Sequence, residues 1–277
     1  MRTTTLHTPR PTPRARSGLA FDPRWWGRAP QAGVVGPSYW SLTRGPLPSL
    51  AFLLPFLIAY EGGIVWFGGA SAEPVRTGAD VWIRQGLAAL GMTGRWLPPL
   101  ALVVGLLLWQ AVGRRNWRFG PACVCGMAVE ALVWAVALIG MSKLVDLGFA
   151  RLEGQTLMAA PTESTRSAVQ VIGYLGAGIY EEALFRLALI PLVFGLLRLL
   201  QAPEVLASTV AVTGSALLFS IAHHAGAPGE AFTWYAFIFR WLAGVYFAWV
   251  FMVRGFGVAV GTHALYDILV GWLGWHF

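Results

Sequence analysis

The chain has 277 residues, of which 56% are hydrophobic and only 12% charged. Soluble domains carry roughly 25% charged residues, so too few charges are present to coat a water-exposed surface, and an ordinary soluble fold is excluded. The net charge is +7, yet seven arginines (Arg2, Arg10, Arg14, Arg16, Arg24, Arg28 and Arg44) precede residue 49 against one acid, Asp22; the excess belongs to a tail with few aromatics before Trp25 and no nucleic-acid motif, so no nucleic-acid partner is expected.

Residues 1–48 are rich in Pro, Arg, Thr and Gly and lack periodicity. They cannot bury enough apolar surface to fold alone and are expected to be a disordered basic N-terminal tail, with Trp25, Trp26, Tyr39 and Trp40 resting at the membrane surface. The first long apolar run begins near Ser49, too far along for a cleaved signal peptide. Residues 49–277 are therefore read as one membrane domain.

The apolar runs predict an all-α, polytopic transmembrane helical bundle. Seven spans are expected: about 50–67, 97–112, 121–141, 168–197, 205–222, 232–253 and 256–275. The fourth is over-long for one crossing and must tilt, kink near Pro191 or project from the bilayer. Segment 78–94 is read as an interfacial helix, because an eighth crossing with Asp80 and Arg84 would be too polar. Cys123 and Cys125 are the only cysteines. Two residues apart in an apolar helix, they point to different faces and predict packing, not a disulfide.

Orientation follows the excess of Lys and Arg in cytoplasmic loops. The basic tail and the loop with Arg114, Arg115 and Arg118 fall on one side, together with Arg198 and Arg254. The charge-balanced loop 142–167 and the loop 224–230, which has no Lys or Arg, fall on the other. The N-terminus is thus expected in the cytoplasm and the C-terminus outside. The arginine-rich, single-lysine composition points to a bacterial inner membrane.

Ionisable groups in the bilayer core cost several kcal/mol unless paired or hydrated, and by default mark function. The strongest concentration is Glu181-Glu182-Ala183-Leu184-Phe185-Arg186, mid-way along the fourth span. Glu182 and Arg186 stand four apart and can pair on one face. Glu181 points about 100° away, as a separate carboxylate free to act as general base. The fifth span ends Phe219-Ser220-Ile221-Ala222-His223-His224. The seventh holds His263-Ala264-Leu265-Tyr266-Asp267, in which the carboxylate can orient or charge the imidazole. Three helices thus offer a carboxylate base, an imidazole, and an oriented imidazole.

Glu-Glu-x-x-x-Arg, Phe-x-x-x-His and His-x-x-x-Asn/Asp, each on its own membrane helix and in this order, resemble the CAAX-protease and bacteriocin-processing family, also called Abi or Rce1-like. The resemblance covers about residues 165–275. It implies an intramembrane endopeptidase that hydrolyses a peptide bond in a membrane-associated or lipidated protein or peptide. By position, Glu181 looks like the water-activating glutamate and His223 like its partner around that water. His263 and Asp267 look like the oxyanion-stabilising pair, with Glu182 and Arg186 as support. Asp267 stands where Asn is common, and an ionised Asp cannot donate a hydrogen bond, so it would act through His263 or in its protonated form. The resemblance implies neither cofactor nor metal; its partners are the lipid bilayer and the substrate chain.

Two other readings stay open on the residues alone. Glu181, His223 and His263 could ligate zinc in a metal-dependent membrane hydrolase, although no His-Glu-x-x-His helix is present. The buried charges could also serve a non-catalytic membrane partner or transporter. Glu61, Glu130 and Arg240, also in apolar runs, are expected to be structural. Gly173, Gly176 and Gly178 are expected to permit close helix packing.

Overall fold

A computed structural model describes residues 38–68, 76–153, 167–225, 230–272 and 274. The bulk of the expected tail, residues 1–37, lies outside the described residues. Every regular element among the described residues is helical. A short helix, α1 (Tyr39–Leu42), leads into α2 (Pro46–Gly68), followed by α3 (Gly78–Ala89), α4 (Leu97–Val112) and α5 (Pro121–Glu153). Then come α6 (Ala168–Glu182), α7 (Ile190–Leu199), α8 (Glu204–Ala222), α9 (Trp234–Arg254) and α10 (Phe256–Asp267). Regular structure thus begins before the expected boundary at residue 48.

Four helices, α2, α5, α8 and α9, are each long and apolar enough to cross a membrane. The other three expected spans take different forms. The helix α4 is apolar but only 16 residues long, about 24 Å at 1.5 Å per residue. The helices α6 and α7 are joined by a π-helical turn, Ala183–Leu189, into one long rod. A second π turn, Ile268–Trp272, extends α10. Large apolar side chains on the bundle exterior, such as Ile58, Leu100, Val129, Val133 and Leu192, are exposed, as lipid-facing residues must be.

Of the tilt, kink or projection expected of the long fourth span, the structure shows an irregularity just before Pro191: a π turn. Proline lacks an N–H and cannot continue the regular ladder; here the preceding turn widens and helix resumes at Ile190. A side chain helps to satisfy the altered backbone, because Ser215 Oγ on α8 donates to the Phe185 carbonyl at 2.6 Å. The start of α6 is set by a reciprocal cap: Gln170 N–H donates to Ser167 Oγ at 3.3 Å and Ser167 N–H to Gln170 Oε1 at 3.1 Å.

The centre of the bundle is α10, which packs on α2, α5, α6 and α9. All its residues from Phe256 to Ala264 are buried, so it is enclosed on every side by other helices. Its entry depends on Gly255, at φ +95°. A side chain there would be strained and would meet Arg44 Cα and Thr43 O at 2.8 Å. Close approach also locks α6 to α10: a Cβ on Gly178 would lie 2.9 Å from Ala264 Cβ and from Val260 O. Gly176 likewise faces the Tyr60 ring, whereas Gly173 has open space beside it. Two of the three expected packing glycines therefore have that role.

The interfacial reading of α3 needs one correction. Asp80 is fully buried, held by Arg76 at 2.6 Å, Arg84 at 2.8 Å and the Tyr60 hydroxyl at 3.0 Å. Its charge lies inside the protein, under the helix, and α3 presents a different face outward.

Candidate active site

The three motif helices meet at one point. Glu181 and Glu182 end α6, His223 caps the C-terminus of α8, and His263 stands in the buried middle of α10. Glu181 Oε2 lies 3.7 Å from His223 Nε2 and 3.9 Å from His263 Nε2. Asp267 Oδ2 lies 3.6 Å from His263 Nε2. Arg186 Nη1 lies 3.2 Å from Glu182 Oε1. All six residues singled out in the sequence are therefore brought together.

Each imidazole is fixed through its other nitrogen. His223 Nδ1 is 2.8 Å from the Phe219 carbonyl. A carbonyl only accepts, so Nδ1 carries the proton and Nε2 is left to face Glu181. His263 Nδ1 is 2.8 Å from Glu182 Oε1, and by the same logic it donates to that carboxylate. Glu182 thus bridges Arg186 and His263. The sequence assigned it only the first of these contacts; the second joins positions 81 residues apart and carries no linear signal.

Aromatic rings complete the support. The His263 ring stacks on Phe247, with centroids 4.4 Å apart and an interplanar angle of 13°. Phe219 meets His263 edge-on at 5.8 Å and His223 at 4.6 Å. The Arg186 guanidinium lies over Phe219 at 4.4 Å and over Phe247 at 5.4 Å, a favourable use of the ring faces. Its Nη2 donates to Gly244 O at 3.2 Å, where a Cβ on Gly244 would come within 2.9 Å of Ala216 Cα. Phe247 lies on α9, outside all three motifs, and sequence reasoning missed it.

The site is not saturated. Glu181 Oε2, Glu182 Oε2, Arg186 Nε and Arg186 Nη1 are buried without a hydrogen-bond partner. Glu181 faces a cavity of about 510 Å³ whose wall includes Lys143, Tyr174, His223, Arg240 and Gly271. These come from the late part of α5, the early parts of α6 and α9, and the ends of α8 and α10, so the cavity opens at one face of the bundle. A helix-end His223 and a mid-rod Glu181 thus both line one recess. Among the described residues no group of three or more His, Cys, Asp or Glu is arranged to hold a metal ion.

The remaining apolar-run charges are paired. Glu61 accepts from the Tyr180 hydroxyl at 2.7 Å. Glu130 and Arg254 form a close ion pair, as do Glu230 and Arg240.

Residues 162–269, which contain all three motifs, match the family model of the type II CAAX prenyl endopeptidase Rce1-like proteins. No curated protein and no solved structure matches the chain.

Proposed function

We propose that this chain is an intramembrane endopeptidase that cleaves a membrane-associated or lipidated protein or peptide with water activated by Glu181. The observation that carries the reading is Glu181 Oε2: buried, without a hydrogen-bond partner, and set between two Nε2 atoms at 3.7 and 3.9 Å. With His223 Nδ1–H committed to Phe219 O, a neutral His223 presents a lone pair to a carboxylate. Two acceptors cannot bond to each other, but a water about 2.8 Å from both donates one proton to each.

In the reaction, Glu181 takes a proton from that water as its oxygen attacks the scissile carbonyl. His223 holds the second proton and so fixes the direction of attack. His263, charged and balanced by Glu182 and Asp267, donates through Nε2 to the developing oxyanion. Glu181 then returns its proton to the leaving amine. Asp267 acts through His263, as the sequence reading allowed, and Arg186 keeps Glu182 anionic. Phe219 and Phe247 exclude water from the far side of the imidazoles, where a preorganised donor is worth most.

The same reading places the seven spans with the N-terminus in the cytoplasm of a bacterial inner membrane. The test is cleavage by the purified chain in liposomes of a prenylated CAAX peptide, followed by mass spectrometry, with and without chelator. Fragment release unaffected by chelator is the expected result. Release abolished by chelator and restored by zinc would replace water activation by Glu181 with a metal mechanism at the same residues.

A further inference from the structure

Arg240, Lys143 and Glu230 are charges on the cavity wall that the proposed chemistry does not use. Arg240 lies within α9, its side chain is 18% exposed, and it lines the same cavity as Glu181. Its partner Glu230 is different in kind: that side chain is 57% exposed. Glu230 is also tied to the site through its backbone, because its N–H donates to the His223 carbonyl at 2.9 Å. The ion pair is therefore asymmetric. Both line the cavity, but the cation is mostly buried and the anion mostly hydrated.

Such a pair can exchange its anion. An arginine in an apolar wall is destabilised by losing its counter-charge, but it can trade one carboxylate for another. Glu230 gives up little in the trade, since its carboxylate is already mostly hydrated. Besides this pair, the charged groups on the cavity wall are Lys143, Glu181, Asp267 and, in the proposed mechanism, His263, whose charge is already balanced by Glu182 and Asp267. An anion brought in by a substrate is repelled by the two carboxylates at the chemistry, and the cations of the wall that are not already balanced there are Arg240 and Lys143. That polarity would set the direction in which a peptide lies.

We propose that Arg240 is a carboxylate-binding subsite on the cavity wall, occupied by Glu230 in the empty protein and by a substrate carboxylate during binding. This inference rests on the proposed peptidase reading for the word substrate. The carboxylate is either the free C-terminus of the peptide or an Asp or Glu side chain near the scissile bond. Lys143 adds a second positive charge on the same wall. Arg240 is a specificity residue, distinct from the groups that act on water.

The test is binding, so that it does not depend on turnover. Three fluorescent prenylated peptides of one sequence are titrated by anisotropy against the Glu181→Gln protein in nanodiscs: a free C-terminal acid, a C-terminal amide, and the amide with one Glu side chain after the scissile bond. The expected result is at least about tenfold tighter binding of one carboxylate-bearing peptide than of the plain amide, the scale of a charge-assisted hydrogen bond. Whichever of the two binds tighter identifies the carboxylate. Glu181→Gln/Arg240→Gln should bind all three alike, and Arg240→Lys should recover part of the preference. Glu230→Gln, a change at an exposed residue, should tighten the carboxylate peptide by removing its competitor. Equal binding of the three peptides to the parent protein overturns the subsite even if the wild type cleaves them. A preserved carboxylate preference in a wild type that cleaves none overturns the peptidase reading and leaves the subsite standing. A folded Arg240→Gln protein that keeps the preference also overturns the subsite.

Discussion

Two buried charge clusters in this protein are built from the same residue types and are satisfied to opposite degrees. Near the break between α9 and α10, Arg254 has every nitrogen engaged. Its Nε and Nη2 bond Glu130, Nη2 also reaches Thr43 Oγ1 at 2.9 Å, and Nη1 reaches Trp40 O at 3.4 Å. Glu130 is saturated as well, accepting from the Tyr39 hydroxyl at 2.7 Å and from Trp134 Nε1 at 3.2 Å. At the motif site, by contrast, Glu181, Glu182 and Arg186 all keep buried atoms without hydrogen-bond partners. A saturated cluster has nothing left to offer a ligand and serves the fold. An unsaturated one stores the capacity to bind, and the fold carries its cost. The contrast holds between these two clusters; the Glu61–Asp80–Arg84 cluster also keeps unsatisfied atoms at Glu61 Oε2 and Arg84 Nη2, although salt bridges of 3.7 Å hold both.

The largest expected effect tests the functional side. Glu181→Gln keeps the shape and removes the proton acceptor, so turnover should fall by roughly 10²–10⁴-fold or more, the usual worth of a general base. Peptide binding and melting temperature should barely change. Substantial residual turnover in this variant would break the comparison, because the unsatisfied carboxylate would then not be the reacting group.

Glu130→Gln should do the reverse. It leaves Arg254 buried without a full counter-charge, and losing one partner of a buried pair costs about 3–5 kcal/mol. Denaturation in detergent should therefore shift strongly, while turnover per folded molecule stays near wild type. A selective loss of turnover would mean that this cluster communicates with the site, and that saturation is not a guide to role.

Glu182→Gln should fall between the two. Glu182 is common to Arg186 and His263, so the change should lower stability and also weaken oxyanion stabilisation. A reduction in kcat of about tenfold, with KM little changed, is the expected signature of a group acting only in the transition state. The split between kcat and KM is the measurement; a change confined to melting temperature would assign Glu182 to the saturated class.

How far the sequence reached follows the same line. Contacts within one helix were legible, because a spacing of four fixes a shared face: Glu182 with Arg186, and His263 with Asp267. The convergence of three helices was legible only as chemistry, since unpaired carboxylates and imidazoles in apolar runs need one another. What sequence could not supply is helix rotation and approach. Gly178 against Ala264 sets how near α6 comes to α10, and that distance allows Glu182 to reach His263. Phe247 is one aromatic among many on α9, and nothing in its spacing marks it as the ring under His263. Arg254 reads as a topology-setting charge at a helix end, yet it is committed to Glu130, 124 residues away. The π turns after Glu182 and Asp267 leave no residue pattern beyond Pro191, which predicts an irregularity but not its form.

The smallest expected effect sharpens the boundary of the saturated cluster. Tyr39, Trp40, Thr43 and Arg44 precede or open the first long helix, and all are engaged. The Arg254 guanidinium lies 4.0 Å from the Trp40 ring centroid and 5.5 Å from that of Tyr39, and Arg44 Nε donates to Val253 O at 2.6 Å. The expected tail therefore divides in function near residue 38. Deleting residues 2–37 removes six of the seven tail arginines but none of these contacts. Melting temperature and turnover per inserted molecule should match wild type within error, with insertion yield scored separately because topology-setting charge is lost. Extending the deletion through Arg44 should destabilise the protein much as Glu130→Gln does, since it strips Arg254 of Thr43 and of both rings. If instead the shorter deletion already lowers turnover at equal membrane levels, the basic tail takes part in capturing substrate, and the chemistry of the site does not end at its three helices.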